Sequence, residues 1–230
     1  MQIINVIIPA YNEEKSIAQV IAAIPPELVA DIIVVDNNSG DNTFHVAQRA
    51  GATVIKEPRQ GYGQACLTGI HYAISKMAPD KPAILVFLDG DYSDYPEEMY
   101  QLVQPILDNK ADLVIGSRAL GQREKGAMLL QQVFGNWLAT SLMWLFYGIR
   151  FTDLGPFRAI RTESLLALNM ADRTYGWTVE MQLKAAKLKL RCTEIPVSYR
   201  KRIGFSKISG TVKGSVLAGY KIILTIFRYL

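Results

Sequence analysis

The stretch Ala83–Asp94, AILVFLDGDYSD, joins an apolar run of strand length to a pair of carboxylates. The run Ile84–Leu88 contains no polar residue, which is typical of a parallel strand that is covered on both faces. Asp89 and Asp91 follow it with one glycine between them, and ligands of open α/β sheets bind beyond the carboxyl ends of the strands. Two hard oxygen donors there suit Mg²⁺ or Mn²⁺ carrying a substrate phosphate. The stretch therefore predicts a metal–diphosphate site, with a solvated Asp-Gly turn as the alternative.

The composition limits the classes of protein to which the chain could belong. The 230 residues suffice for one large domain, half of them are hydrophobic and a fifth are charged. A mean hydropathy of +0.12 is high for a chain that is solvated all round and indicates a membrane-facing surface. The 25 basic against 21 acidic residues form no single stripe, which argues against a nucleic-acid partner. Cys66 and Cys192 lie far apart, so we expect reduced thiols in a cytosolic compartment. The N-terminus lacks a basic region and predicts a first strand, not a signal peptide.

Strand-like and helix-like segments alternate through the first half of the chain. Apolar runs predict strands at Ile3–Ile8, Ile32–Val35, Ala52–Ile55, Ile84–Leu88 and Leu113–Ile115. Helices are predicted from Asn12-Glu13-Glu14 to Ile24, over Gly61–Met77 and over Pro96–Leu107. Pro9 is expected to end the first strand. This order predicts an α/β fold with a mostly parallel sheet and helices on both faces.

Polar residues follow three of these strands: Tyr11-Asn12-Glu13, Asp36-Asn37 and Asp89-Gly90-Asp91. In a parallel sheet such ends converge on one edge, as a nucleotide-binding crevice requires. Asp36 is a candidate acceptor for a base or a ribose. The segment at Gly61 lacks the GK[ST] ending of a P-loop, and the first strand lacks the dinucleotide-binding glycines, which argues against an NTPase or a dehydrogenase.

Four segments, in order and spacing, resemble glycosyltransferase family 2 of the GT-A (Rossmann-like) fold. They are Pro9-Ala10-Tyr11-Asn12-Glu13-Glu14, Val35-Asp36-Asn37-Asn38-Ser39, Gly61-Tyr62-Gly63-Gln64-Ala65 and Asp89-Gly90-Asp91. Later segments resemble the polyprenyl-phosphate hexosyltransferase branch, which includes dolichyl-phosphate mannose synthase. They are Gly116-Ser117-Arg118, Asp153–Arg158, Gly176–Glu180 and Tyr199–Lys207. The chain departs from its relatives at Asn37, where a second aspartate is common, at Ser93, where a glutamine can assist the metal, and at Pro156.

The resemblance implies an inverting, metal-dependent transfer of a hexose from a nucleotide sugar of the GDP-mannose or UDP-glucose type to a polyprenyl or dolichyl phosphate. It implies Mg²⁺ or Mn²⁺ bound directly by Asp91 and assisted by Asp89. The implied catalytic residues are Asp89, Asp91, Arg118, Asp153, Arg202 and Lys207. The implied nucleotide-sugar contacts are Pro9, Ala10, Tyr11, Asn12, Glu13, Asp36, Asn37, Gln64, Asp89, Gly90 and Asp91. The implied acceptor-phosphate contacts are Arg118, Arg158 and Arg200.

The second half carries two amphipathic segments. No charge appears between Lys125 and Arg150, and Gln132, Asn136 and Thr140 recur on one helical face. We expect one or two helices in the membrane interface at about 126–149, anchored by Trp137, Trp144 and Tyr147, with a buried core helix as the alternative. Gly214–Leu230 predicts a second such helix, at about 212–230, with a basic face.

We thus expect a single domain over residues 1–230, in which residues 1–118 bind the nucleotide sugar and residues 119–230 the acceptor. The expected partners are a nucleotide sugar, a polyprenyl-phosphate lipid and the membrane surface, on the cytoplasmic face, with a membrane-protein partner or a homo-oligomer left open. Two alternatives remain. The first is a family 2 transferase that acts on a soluble or cell-surface glycan. Such an enzyme would require a carboxylate base. The second is a non-catalytic nucleotide-sugar-binding module.

Overall fold

Seven strands form one sheet in the part of the chain that the computed structural model describes, residues 3–77, 83–204 and 212–230. The strands are β1 (Ile3–Ala10), β2 (Asp31–Asp36), β3 (Thr53–Lys56), β4 (Ala83–Phe87), β5 (Leu113–Ser117), β6 (Arg158–Arg161) and β7 (Cys192–Pro196). Their order is β3-β2-β1-β4-β6-β5-β7. β6 runs antiparallel to β4 and β5, and the other neighbours are parallel. The predicted α/β fold with a mostly parallel sheet is confirmed.

Helices cover both faces of the sheet. They are α1 (Ile17–Ala23), α2 (Thr43–Arg49), α3 (Tyr62–Lys76), α4 (Met99–Leu107), α5 (Leu130–Tyr147), α6 (Thr162–Leu168), α7 (Trp177–Lys187) and α8 (Val212–Arg228). Alternate residues of the central strands point to opposite faces, as the pleat requires. Ile7, Val35 and Phe87 pack with α3 and α5–α8, whereas Ile8, Val34 and Val86 pack with α1, α2 and α4.

The structure corrects the beginning of the chain. β1 continues through Pro9 to Ala10, because its pairing with β4 ends at Ile7 and leaves one edge where a missing N–H is tolerated. The first helix begins at Ile17 instead of beside Asn12. Asn12 is held outside it, since its backbone N–H donates to Ser39 Oγ and its side chain accepts from the Gly40 N–H.

The segment at about 126–149 forms one helix, α5, which lies against α8. Its polar stripe faces the protein: Asn136 donates to the Thr152 carbonyl, and Thr140 is buried. Several of its apolar residues face outward, with Leu130 87% exposed, Trp137 58% and Trp144 52%, whereas Ala139 and Met143 are buried in the core. The two helices therefore pack on the core through one face and present exposed apolar side chains on another. Within the described ranges, no helix is both long and apolar enough to cross a membrane.

Candidate active site

A cavity of about 350 Å³ opens where β1 and β4 end. We call it the strand-end cavity. It is lined by Pro9, Ala10, Tyr11, Glu13, Asn37, Gln60, Gly61, Tyr62, Ala65, Asp89, Gly90, Asp91, Tyr175 and Arg202. Most of the residues expected to contact a nucleotide sugar are thus brought together. Tyr175 and Arg202 come from residues 119–230, the half of the chain that was expected to bind the acceptor.

Three of the expected nucleotide-sugar contacts do not line this cavity. Asn12 holds the Ser39–Gly40 turn, and the buried Asp36 accepts from the Ser39 N–H. Gln64 is buried and donates to Glu57 Oε2 at 2.9 Å. Their side chains form hydrogen bonds within the loops around the cavity.

Asn37 takes both kinds of position. It lines the strand-end cavity, and its amide donates to the carbonyls of Glu57 and Arg59 and accepts from the Gly61 N–H at 2.7 Å. Glu57 lies below this loop, where burial opposes ionisation but hydrogen bonds from Arg59, Thr68 and Gln64 outweigh it and lower its pKa to about 2. The entry to α3 is fixed by this network.

Asp89 and Asp91 stand side by side in the cavity wall. Burial, and then the charge of Asp91, raise the pKa of Asp89, whose Oδ1 accepts from the Tyr62 hydroxyl at 3.1 Å. Arg202 bridges Asp91 and Glu13, with its Nη2 at 3.2 Å from an oxygen of each. The site thus brings the carboxylates of Glu13, Asp89 and Asp91 together around one arginine.

Ser93 interacts with the same carboxylate. Its backbone N–H and its hydroxyl both donate to Asp91 Oδ1, at 2.9 and 2.5 Å. These bonds fix the Asp91 side chain, which makes Ser93 a support for that carboxylate in this structure.

The donor set suits a divalent cation that is shared with a substrate. The described residues contain no group of three or more His, Cys, Asp or Glu side chains that could hold an ion alone. Mg²⁺ commonly uses one or two carboxylates and takes its remaining oxygens from substrate phosphates and water. Asp91 and Asp89 fit that pattern, since the mutual repulsion that raises the pKa of Asp89 is what a cation would relieve.

A second cavity, of about 320 Å³, adjoins the first and lies between α5 and α8. We call it the inter-helix cavity. Tyr62, Asp89, Asp91, Tyr175 and Arg202 line both cavities. The rest of its lining is Arg118, Met128, Gln131, Gln132, Gly135, Asn136, Leu154, Pro156, Thr178, Tyr199, Ala218, Gly219 and Ile222. A ligand in each cavity would meet at the two aspartates.

Arg118 is the predicted acceptor-phosphate contact that lines the inter-helix cavity. It forms a bidentate pair with Asp153, Nε to Oδ2 at 2.8 Å and Nη2 to Oδ1 at 2.7 Å. Its guanidinium lies 5.1 Å from the centre of the Tyr199 ring, and its side chain is 12% exposed. Asp153 is 1% exposed, so its carboxylate orients Arg118 and does not face a substrate.

The other two predicted acceptor-phosphate contacts, Arg158 and Arg200, line neither cavity. Arg158 is fully buried, and its guanidinium donates to the carbonyls of Leu154, Gly155 and Thr178. Burial lowers its pKa to about 10. Arg200 stacks on the rings of Tyr92 and Tyr95, and it donates to backbone carbonyls, which leaves it away from the site. Lys207 lies outside the described residues.

Several residues around the site were not predicted from the sequence. Tyr62 and Tyr199 stood in the quoted motifs without a role, and Tyr175 precedes the Gly176 motif. A neighbouring glycine was the available signal for Tyr62 and Tyr175, whereas Tyr199 has no glycine beside it. Buried Glu180 accepts from the backbone N–H of Ala171 and Asp172 and from the Tyr229 hydroxyl. Glu180 thus ties α8 to the loop that carries Tyr175.

Asp94 was also missed. It is 1% exposed, and neither of its carboxylate oxygens has a hydrogen-bond partner among the described residues. Burial, and then the charges of Asp89 and Asp91, raise its pKa well above the ordinary value. No pattern in the sequence distinguishes it from the two aspartates before it.

Comparisons with known proteins agree with this architecture. The family model for glycosyl transferase family 2 matches residues 5–167. An uncharacterized glycosyltransferase of Mycobacterium tuberculosis is 37% identical over 218 residues, which cover 94% of each chain. An undecaprenyl-phosphate mannosyltransferase of Micrococcus luteus is 28% identical, over 92% of this chain and 89% of that one.

Among solved structures, glucosyl-3-phosphoglycerate synthase of Mycobacterium tuberculosis superposes with a TM-score of 0.78. It was solved with Mn²⁺, uridine-diphosphate-glucose and phosphoglyceric acid. The match covers 99% of this chain and 79% of that one at 23% identity, which shows a shared GT-A fold.

Proposed function

The chain belongs to glycosyltransferase family 2, and on that premise we propose that it transfers a hexose from a nucleotide sugar to a polyprenyl phosphate at a membrane surface. The donor would occupy the strand-end cavity, built mainly from residues 1–118 and completed by Tyr175 and Arg202. The acceptor phosphate would occupy the inter-helix cavity, built mainly from residues 119–230.

One observation carries this proposal. The inter-helix cavity begins at Asp89 and Asp91 and lies between two helices whose outer residues, such as Leu130 and Tyr220, are apolar and exposed. An acceptor in this cavity therefore lies next to a surface suited to the membrane interface, where tryptophan and tyrosine side chains are favoured. The mannosyltransferase of Micrococcus luteus, which is named for a lipid phosphate, supports the same choice of acceptor.

In the proposed reaction, the bond from the anomeric carbon to the diphosphate oxygen breaks and negative charge builds on the leaving nucleoside diphosphate. Arg202, already 3.2 Å from Asp91, is placed to donate to that diphosphate. A divalent cation held by Asp91 and Asp89 would supply further charge neutralisation. Fixed positive charge at the place where charge develops is commonly the largest catalytic contribution.

The acceptor phosphate would be the nucleophile. A phosphate monoester is ionised near pH 7, so its oxygen can attack the anomeric carbon without a general base. Attack from the side of the inter-helix cavity, opposite the leaving group, inverts the configuration. Arg118 would hold the phosphate through the part of its guanidinium that Asp153 does not cover, and Asp153 would keep it oriented.

A product assay tests the proposal. The purified chain is mixed with radiolabelled UDP-, GDP- or dTDP-hexoses, Mn²⁺ or Mg²⁺, and vesicles containing a prenyl phosphate. We expect one nucleotide sugar to place its label in the organic phase, in a metal-dependent manner, as a phosphodiester that mild acid releases. If every donor is only hydrolysed, or none reacts, the proposed transfer is wrong.

A further inference from the structure

Two glycines within helices form part of the wall of the inter-helix cavity. Gly135 lies in α5 and Gly219 in α8, and both line the cavity. A glycine within a helix costs about 1 kcal/mol relative to alanine, so each weakens the helix that contains it. The fold offers no reason for this cost, because a Cβ at either position would meet no heavy atom of the described chain within 4 Å.

At other glycines near the site, an added Cβ would meet the backbone. A Cβ at Gly61 or Gly63 would lie 2.2 or 2.1 Å from a backbone oxygen, of Arg173 or Asp172. Those two positions need glycine because the chain packs closely there. At Gly135 and Gly219 the missing side chains leave open space next to the cavity.

We propose that Gly135 and Gly219 flank the passage through which the hydrocarbon chain of the acceptor leaves the inter-helix cavity, and that their size sets which acceptors enter. The inference rests on the proposed function. The phosphate would lie at Arg118, and the first carbons of its alcohol would pass between α5 and α8 to the apolar outer surface.

The part of the wall formed by α5 is uncharged and suits a hydrocarbon better than a charged acceptor, with Gln131, Gln132 and Asn136 as its polar groups. α5 contains no charged residue from Leu130 to Tyr147, and Met128, Leu154 and Ile222 add apolar surface to the cavity. The passage opens beside side chains such as Leu217, which is exposed and apolar. A small soluble phosphate would need no exit from the cavity.

Filling the open space tests the passage. Gly135→Leu and Gly219→Leu each place an apolar side chain beside the cavity, and the Cβ of each has no described heavy atom within 4 Å. We expect each to raise the KM for a long-chain prenyl phosphate in vesicles at least tenfold, with the alanine variants intermediate. Affinity for the donor nucleotide should stay within twofold of wild type. Ser141→Leu is the matched control, since it enlarges a residue of α5 that does not line the inter-helix cavity.

The outcomes separate the inference from the proposed function. If both leucine variants bind nucleotide and keep the wild-type KM for prenyl phosphate, the passage is wrong and the proposed transfer stands. If the wild-type chain transfers to no lipid phosphate, the proposed function fails, and the passage fails with it.

A second measurement serves if the leucine variants fail to bind nucleotide. Gly219→Cys in a Cys192→Ser background is treated with a bulky thiol reagent, since Cys66 is buried. We expect prenyl phosphate to slow the labelling several-fold, whereas inorganic phosphate does not. Equal labelling rates with and without prenyl phosphate would overturn the passage.

Discussion

Asp91 is held in the proposed site by two other residues. Ser93 donates to one of its oxygens, and Arg202 lies 3.2 Å from the other. Its position after β4 follows from the sequence, because an apolar strand must end where its polar residues reach solvent. The residues that contact Asp91 do not follow from the sequence, since Arg202 is far away along the chain.

We expect Asp91→Asn to reduce transfer at least about a hundredfold, because it removes a negative charge from the proposed cation site and frees Arg202 to pair with Glu13 alone. The rate of product formation, measured over a range of Mn²⁺ concentrations, checks this. Glu163→Gln, an exposed carboxylate of α6, is the control. Unchanged transfer by Asp91→Asn, or full transfer in EDTA, would contradict the role given to Asp91.

Arg118 is assigned to the acceptor phosphate and not to the nucleotide diphosphate, so its substitution tests whether the two phosphates bind at separate sites. We expect Arg118→Ala to raise the acceptor KM about tenfold to a hundredfold, the value of a hydrogen bond between charged groups, while nucleotide affinity stays constant. Arg118→Lys should recover only part of the loss, because lysine lacks the planar fork that pairs with Asp153.

Steady-state kinetics with each substrate varied in turn, together with thermal melts of each variant, measure these effects. A loss of nucleotide affinity with an unchanged acceptor KM would show that our division of the phosphates is mistaken.

Single residues also show where the sequence was insufficient. Arg118 and Arg158 both stand in motifs of the resembling family, and both are arginines near a strand end. Only the fold shows that the guanidinium of Arg158 is enclosed by three backbone carbonyls, whereas that of Arg118 lies in a cavity wall. Long-range contacts of this kind leave no local pattern.

At the scale of elements, Glu57 connects the end of β3 to the beginning of α3. It accepts from Gln64 and Thr68 of α3 and from Arg59. Because its folded pKa, about 2, lies below the ordinary 4.5, the carboxylate stabilises the fold fully above pH 4.5, and this contribution is lost as the pH falls toward 2.

We expect Glu57→Gln to lower the free energy of unfolding at pH 7 by up to about 2 kcal/mol, a modest value because the Arg59 partner is largely exposed and screened. The difference in the free energy of unfolding between the variant and wild type should decrease as the pH falls from 4.5 toward 3. Urea unfolding followed by circular dichroism at several pH values measures it. A difference that stays constant over this range would contradict the assigned ionisation.

The elements differ in how well the sequence predicted them. The buried parallel strands are continuous apolar runs, and α5 has an evident polar stripe, so both were found. β6 and β7 were missed because RAIR and CTEIP mix polar and apolar residues. Arg158 can occupy such a strand only because backbone carbonyls satisfy its side chain, which the sequence does not reveal.

For the whole molecule, the two amphipathic helices give the proposed membrane face. We expect Trp137→Gln with Trp144→Gln to weaken binding to anionic vesicles at least about tenfold, since burying a large apolar side chain contributes about 2 kcal/mol. Nucleotide affinity should not change.

Cosedimentation with vesicles measures this binding. Leu166→Gln with Leu188→Gln is the control, because these residues are similarly exposed but lie outside α5 and α8. Equal losses in the two double variants would show that the apolar surface of α5 and α8 is not the membrane face.

The central claim is that the hexose goes to a lipid phosphate, and a single competition reaction tests it most directly. Labelled donor is offered together with prenyl phosphate in vesicles and phosphoglyceric acid in solution, at equal concentrations, and the products are separated by solvent partition. We predict label in the lipid phase, rising with the prenyl phosphate content of the vesicles. Label that stays in the aqueous phase as a hexosyl phosphoglycerate, regardless of the vesicles, would contradict the account.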